Sequence, residues 1–136
     1  MKGKYLKKII AQSPEDLHLI SACCFNAEVK LDNIKYLSAN KIFLIFLSRF
    51  NNEKDGKKTV NSVLKFDFVD TSKSKNIDQT NPNLILKLLG INLFKKYDKF
   101  EITLLFSKNR IITLSAEVIE ATLEDQKLTN VKSSKL

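Results

Sequence analysis

Cys23 and Cys24 stand side by side as the only cysteines of the chain, and His18 is its only histidine. Such a thiol pair could act as a nucleophile, a redox centre or part of a metal site. Each role needs help that the sequence withholds. A zinc site takes more donors than this chain has cysteine and histidine to offer. A reactive thiolate needs a cationic or hydrogen-bonding neighbour. On a helix over "SPEDLHLISACCFNA" (13–27), Leu17, Leu19, Ile20, Cys23, Cys24 and Ala27 share one wide apolar side, while His18 and Ser21 lie on the other. A disulfide between neighbours strains its short ring. The cysteines are therefore expected to pack as small hydrophobes, with no metal and no cofactor.

Charged residues offer the remaining chemistry. Arg49 interrupts the apolar run "IFLIFLSRF", where an unpaired charge is costly to bury. It reads either as an anion-binding residue at the rim of a sheet or as a structural ion pair with Asp67, Glu117 or Glu120, and the ion pair is preferred. Glu117 and Glu120, three apart on an expected helix, could in principle do acid–base work. A solvated or arginine-paired face is the plainer reading. Gly3, Gly56 and Gly90 are the only glycines, which excludes a phosphate-cradling loop, and no serine or cysteine nucleophile motif is present. No catalytic residue is assigned.

These residues must be positioned by a framework that the pattern outlines. A short strand is expected over 6–11, followed by the helix, with Ser13 as its N-cap, Pro14 at the first helical position, and Glu15 and Asp16 in the first turn. Strands are expected over 28–37 and 41–50, the second apolar on both faces like a strand covered on both sides. A polar loop with a turn at Asp55-Gly56 follows over 51–58. The next strand, 60–69, places Leu64, Phe66 and Phe68 on one face and Lys65 and Asp67 on the other. Residues 70–83 read as a second polar loop. The stretch 83–94 reads as a strand in preference to a short helix. Residues 99–107 and 110–116 form a hairpin across Lys108-Asn109, where Asn109 tolerates positive φ. A short helix over 116–126 closes the domain.

The expected fold is α+β: one antiparallel sheet of about six strands, strongly curled, with a capped N-terminal helix and a short C-terminal helix. A half-barrel of the pleckstrin-homology type is one specific form of this pattern, by analogy alone. Residues 1–128 make a single domain and 129–136 a flexible tail.

The segments "EDLHLISA", "SRF", "LKFDFV", "LILKLLGI" and "IITLSAEVIEATLED" together resemble a family of uncharacterised alphaproteobacterial proteins, a domain of unknown function. The resemblance runs from Leu6 to Asp125, and Arg49 matches the arginine of the family's "RF" motif. The chain departs from the family pattern at Phe25 and Asn26, at "KKTVN" in place of an arginine pair, and at Val118 in place of a cysteine. The resemblance implies a family and no biochemical role.

Composition bounds the function. The chain has 136 residues and a formal net charge of +8, ordinary globular proportions with a basic balance. It has no apolar run long enough to span a membrane and no secretory signal at its start, so a cytoplasmic location is expected. Arg49 and Arg110 are the only arginines; the other basic residues are lysines scattered along the sequence, less suited to bidentate recognition. Three readings follow. The first is a non-enzymatic binding or adaptor module with a protein partner. The second is electrostatic binding to nucleic acid or anionic lipid. The third is an enzyme of unrecognised type.

Overall fold

Alternation of buried and exposed residues runs through nearly every element, and it builds a single large sheet. A computed structural model of the chain describes residues 6–53 and 56–126. In chain order these form β1 (Lys8–Ala11), α1 (Pro14–Cys23), β2 (Ala27–Leu37), β3 (Ile42–Glu53), β4 (Gly56–Phe66), β5 (Val69–Lys75), β6 (Ile85–Lys96), β7 (Lys99–Phe106), β8 (Arg110–Ala116) and β9 (Ala121–Asp125). The strands lie in the order β1-β9-β4-β3-β2-β6-β7-β8-β5, and every neighbouring pair is antiparallel.

The expected architecture is corrected in several places. Nine strands replace about six, one helix stands among the described residues instead of two, and the sheet is open rather than curled into a half-barrel, with β1 and β5 as its edges. The expected C-terminal helix is a turn followed by β9, which is inserted between β1 and β4. The polar loop expected over 70–83 contains β5. The expected loop over 51–58 belongs largely to β3 and β4, and Asp55 of the expected turn lies outside the described residues, as does the expected tail at 129–136. β3 is covered on one face only: Phe43, Ile45, Leu47 and Arg49 are buried, while Phe46 and Phe50 are exposed. Phe68, expected inward with Leu64 and Phe66, is exposed, because the chain turns out of β4 there with a φ of 60°.

Helix α1 starts as its residues dictate. Ser13 Oγ accepts the Asp16 N–H at 3.2 Å, and Pro14 occupies the first turn. Leu17 and Ile20 are buried; Leu19, expected beside them, is exposed. Asn26 reverses the chain with a φ of 67°, and its N–H donates to Leu88 O at 2.7 Å. Ser21 Oγ accepts from Ile91 N at 2.9 Å, which pins the helix beside the irregularity between Leu88 and Gly90 in β6.

A ten-residue helix cannot cover one face of nine strands, so the two halves of the sheet must cover one another. The halves are continuous through a short pairing, Ala27–Lys30 of β2 with Ile85–Leu88 of β6. Past it Leu31 N and Asp32 N still donate to Leu84 O at 2.8 Å and Pro82 O at 3.0 Å, and after an irregularity between Val29 and Ile34 β2 continues along β3. Bonds between the halves fix their approach: Tyr36 Oη donates to Val69 O at 2.8 Å, and Val69 N donates to Lys41 O at 2.9 Å. Buried residues of both halves, from Phe43 and Leu64 to Leu104 and Leu114, form one core cluster. Among the described residues no helix is long and apolar enough to cross a membrane.

Candidate functional site

Arg49 continues the inward phase of Phe43, Ile45 and Leu47 on β3, and its side chain is 3% exposed. Its Nε donates to Asp125 Oδ1 at 3.0 Å and its Nη2 to Asp125 Oδ2 at 2.7 Å, a two-pronged pairing with β9. Ser62 of β4 stands directly opposite both Leu47 and Asp125, and its hydroxyl donates to Oδ1 at 2.6 Å. Lys7 N donates to Oδ2 at 2.8 Å, while Asp125 N donates to Lys7 O at 2.9 Å. The cluster ties together β3, β4, β9 and the start of β1. No buried side-chain nitrogen or oxygen among the described residues lacks a hydrogen-bond partner.

Burial is the largest influence on the Asp125 carboxyl and acts to raise its pKa. The hydrogen bonds from Arg49, Ser62 and the Lys7 N–H together outweigh burial and hold it below the ordinary value. A lowered folded pKa stabilises the protein above the unfolded value, about 3.9. That contribution is lost as pH falls through the folded value. Urea midpoints measured from neutral pH downward should therefore drop below about pH 4. A midpoint that stays level through that window would contradict the role given to Asp125.

The other expected site residues lie elsewhere. Asp67 Oδ1 is 3.8 Å from Lys65 Nζ, and Glu117 Oε2 is 3.6 Å from Lys41 Nζ. Glu120 Oε1 accepts from Gln12 Nε2 at 2.8 Å. Glu117 and Glu120 sit in the turn between β8 and β9, so the helical face expected to align them does not exist. Cys24 is buried, and its thiol is pushed up to about 12 by that burial first and by the neighbouring Cys23. Cys23 is half-buried and His18 exposed. No group of histidine, cysteine or carboxylate among the described residues is placed to hold a metal.

The outer face of β6, β7, β8 and β5 gathers a different set. Strand register aligns Asn92, Thr103, Thr113 and Lys73 in one row, and Phe94, Glu101, Ser115 and Thr71 in the next. A groove of about 620 Å³ lies on this face, with Lys73 and Lys75 along the β5 edge and Lys96 and Lys99 at the β6–β7 end. Thr71, Thr103, Thr113 and Ser115 line it together with Phe100 and Ile111. Two of the lysines already hold carboxylates at the rim: Lys99 Nζ is 2.9 Å from Asp70 and Lys96 Nζ is 3.2 Å from Glu101. Exposed pairs of this kind are weak and exchangeable. Hydrogen bonds from Lys99 and then Lys41 hold the Asp70 carboxyl below its ordinary value.

Arg49 forms the buried ion pair that its place in an apolar run calls for, but with Asp125 and not with Asp67, Glu117 or Glu120, and neither Asp125 nor the groove stands out in the sequence. Asp125 stands in phase with Ala121 and Leu123, a buried alternation of the same kind as Leu47 and Arg49. The groove lysines are scattered in sequence, and register alone collects them. The interleaved stretch "FKKYDKF" (94–100) was the available signal for its β6–β7 end.

The family model described as "Protein of unknown function (DUF2948)" matches residues 7–135, a span that holds all nine strands. The chain belongs to this family. This DUF2948 member finds no match among curated proteins. It is similar to a crystal structure of an uncharacterized protein from Neisseria gonorrhoeae, at 17% identity over 71% of this chain and 90% of that one. The TM-score of that likeness is 0.45.

Proposed function

We propose that the protein is a non-enzymatic binding module that presents the outer face of β7, β8 and β5 to an anionic ligand. The observation that carries this reading is the groove lined by four lysines and by threonine and serine residues, with Phe100 and Ile111 also in its lining. Ammonium groups meet anionic oxygens as point charges, and hydroxyls donate to the same oxygens. The groups best equipped for chemistry are engaged inside the fold: Arg49 with Asp125, and Cys24 as a buried thiol. This speaks against an enzyme. The adaptor reading has a foothold in β5, which pairs with β8 on one side only. Lysines along an edge strand discourage the addition of another strand, however, and so favour the electrostatic reading. Two free thiols accord with a cytoplasmic location.

The test is elution from immobilised heparin. The Lys73→Glu/Lys75→Glu double variant should elute at clearly lower salt than the wild type. The slope of affinity against salt should fall by about two, roughly one unit per lost contact. Lys30→Glu/Lys87→Glu makes the same change in net charge on two exposed lysines elsewhere. Equal losses from the two double variants would mean that overall charge, not this face, governs binding.

A further inference from the structure

We infer that the anionic ligand is single-stranded nucleic acid, and that Tyr97, at the tip of the β6–β7 hairpin, provides the surface on which a base stacks. The inference rests on the anion-binding reading above and adds to it the class of ligand.

Tyr97 and Asp98 form the two-residue turn between Lys96 and Lys99, which pair across the hairpin. Tyr97 is 96% exposed, so its ring adds nothing to the core. Its φ of 54° places it in the left-handed region, which a bulky side chain enters at a cost and which glycine or asparagine enters readily. The turn would form more easily without this ring. A residue that burdens the fold and gains no packing points to a use outside it. A fully accessible aromatic face bordered by lysines is the arrangement that holds unpaired bases, since every base has a stacking surface and every phosphate a charge.

The surroundings favour the single strand over the duplex. Lys96 and Lys99 stand at the base of the tip and begin the groove that runs to Lys73 and Lys75 on β5. Its hydroxyls suit phosphate and sugar oxygens. Phe94, also exposed, lies on the outer row beside Glu101. Duplex recognition through the major groove uses an inserted helix or ribbon carrying base-reading side chains. The sequence of α1, PEDLHLISAC, contains no lysine or arginine. A paired helix would also keep its bases from the Tyr97 ring.

Fluorescence anisotropy at about 50 mM salt tests this with labelled single strands of uridine or thymidine about 15 nucleotides long. The controls are a duplex of the same length and vesicles of mixed phosphatidylcholine and phosphatidylserine. The single strands should bind best, with affinity falling steeply as salt rises. Tyr97→Gly should weaken that binding roughly tenfold. It should also raise the melting temperature, a combination that a merely structural tyrosine would not produce. Tyr97→Phe should bind like the wild type. Preference for the duplex or the vesicles, or full affinity in Tyr97→Gly, would overturn the inference. Heparin binding that depends on Lys73 and Lys75, without oligonucleotide binding, would leave the anion-binding reading standing and sink this one. Failure to bind either would sink both.

Discussion

Asp125→Ala should cost about 3 to 5 kcal/mol of stability, because it leaves the Arg49 guanidinium buried without its counter-charge. Arg49 is 3% exposed, and its other hydrogen bond in the cluster is a long one, 3.4 Å from Nη1 to Phe50 O. Water cannot readily replace the lost carboxylate. Arg49→Met should cost a similar amount from the other side, leaving a carboxylate with donors but no cation. Against a total stability of about 5 to 15 kcal/mol, either variant should lower the melting temperature on the order of 10 °C or more. The double variant Arg49→Met/Asp125→Leu should recover much of the loss, since apolar replacements of buried pairs are often near neutral. Thermal melts of the three variants check the argument. An Asp125→Ala protein that melts with the wild type would show that the pair stabilises nothing. None of the three should alter binding on the outer face of β5, β7 and β8.

Phe43→Ala should be as damaging for a different reason, at about 3 to 5 kcal/mol. Phe43 is 1% exposed, with the rings of Tyr36 and Phe66 each 6.4 Å away between centroids. It also borders a cavity whose far wall includes Ile112 of β8 and Ser72 of β5, so it sits where the halves of the sheet meet. Truncation leaves a void that strands fixed by long ladders cannot close. Phe46, three residues along the same strand, is 42% exposed, and Phe46→Ala should cost under about 0.5 kcal/mol. Urea unfolding of the two variants makes the comparison. Equal costs would mean that β3 is not covered on one face as described.

Local chemistry was the legible part of this chain. The Ser13 cap, the hairpin at Lys108 and Asn109 (both at positive φ) and the strand over 85–96 each depend on neighbours in sequence, and each was readable. β5 was not, because an edge strand exposed on its outer face has few apolar residues to alternate, and "DTSKSK" carries the composition of a loop. β9 was hidden by its own function in the core. Its third inward residue is a buried aspartate, which broke the apolar alternation and let Val118, Ala121 and Leu123 pass for a helix face. Arg49 announced that a buried partner must exist. Which carboxylate met it depended on the strand order, and nothing local to Asp125 carries that information. The curl of the sheet was overestimated for a related reason: with β5 and β9 not recognised as strands, the remaining apolar faces required more closure than nine strands need.

The insertion of β9 between β1 and β4 has a consequence for synthesis. The β4 ladder that β9 fills, from Ser62 to Phe66, leaves the ribosome well before Ala121–Asp125 does. β1 waits longer still, since Lys7 and Asp125 are 118 residues apart in sequence. Contacts so distant close slowly, because the loop entropy is lost before the contacts are gained. A nascent chain that has made β2, β3 and β4 therefore carries an open strand edge beside Leu64 and Phe66. Ser62, the one polar inward residue on that stretch of β4, stays without Asp125 until β9 arrives. During that interval the half-made sheet is the form of this protein most exposed to aggregation and most in need of a chaperone.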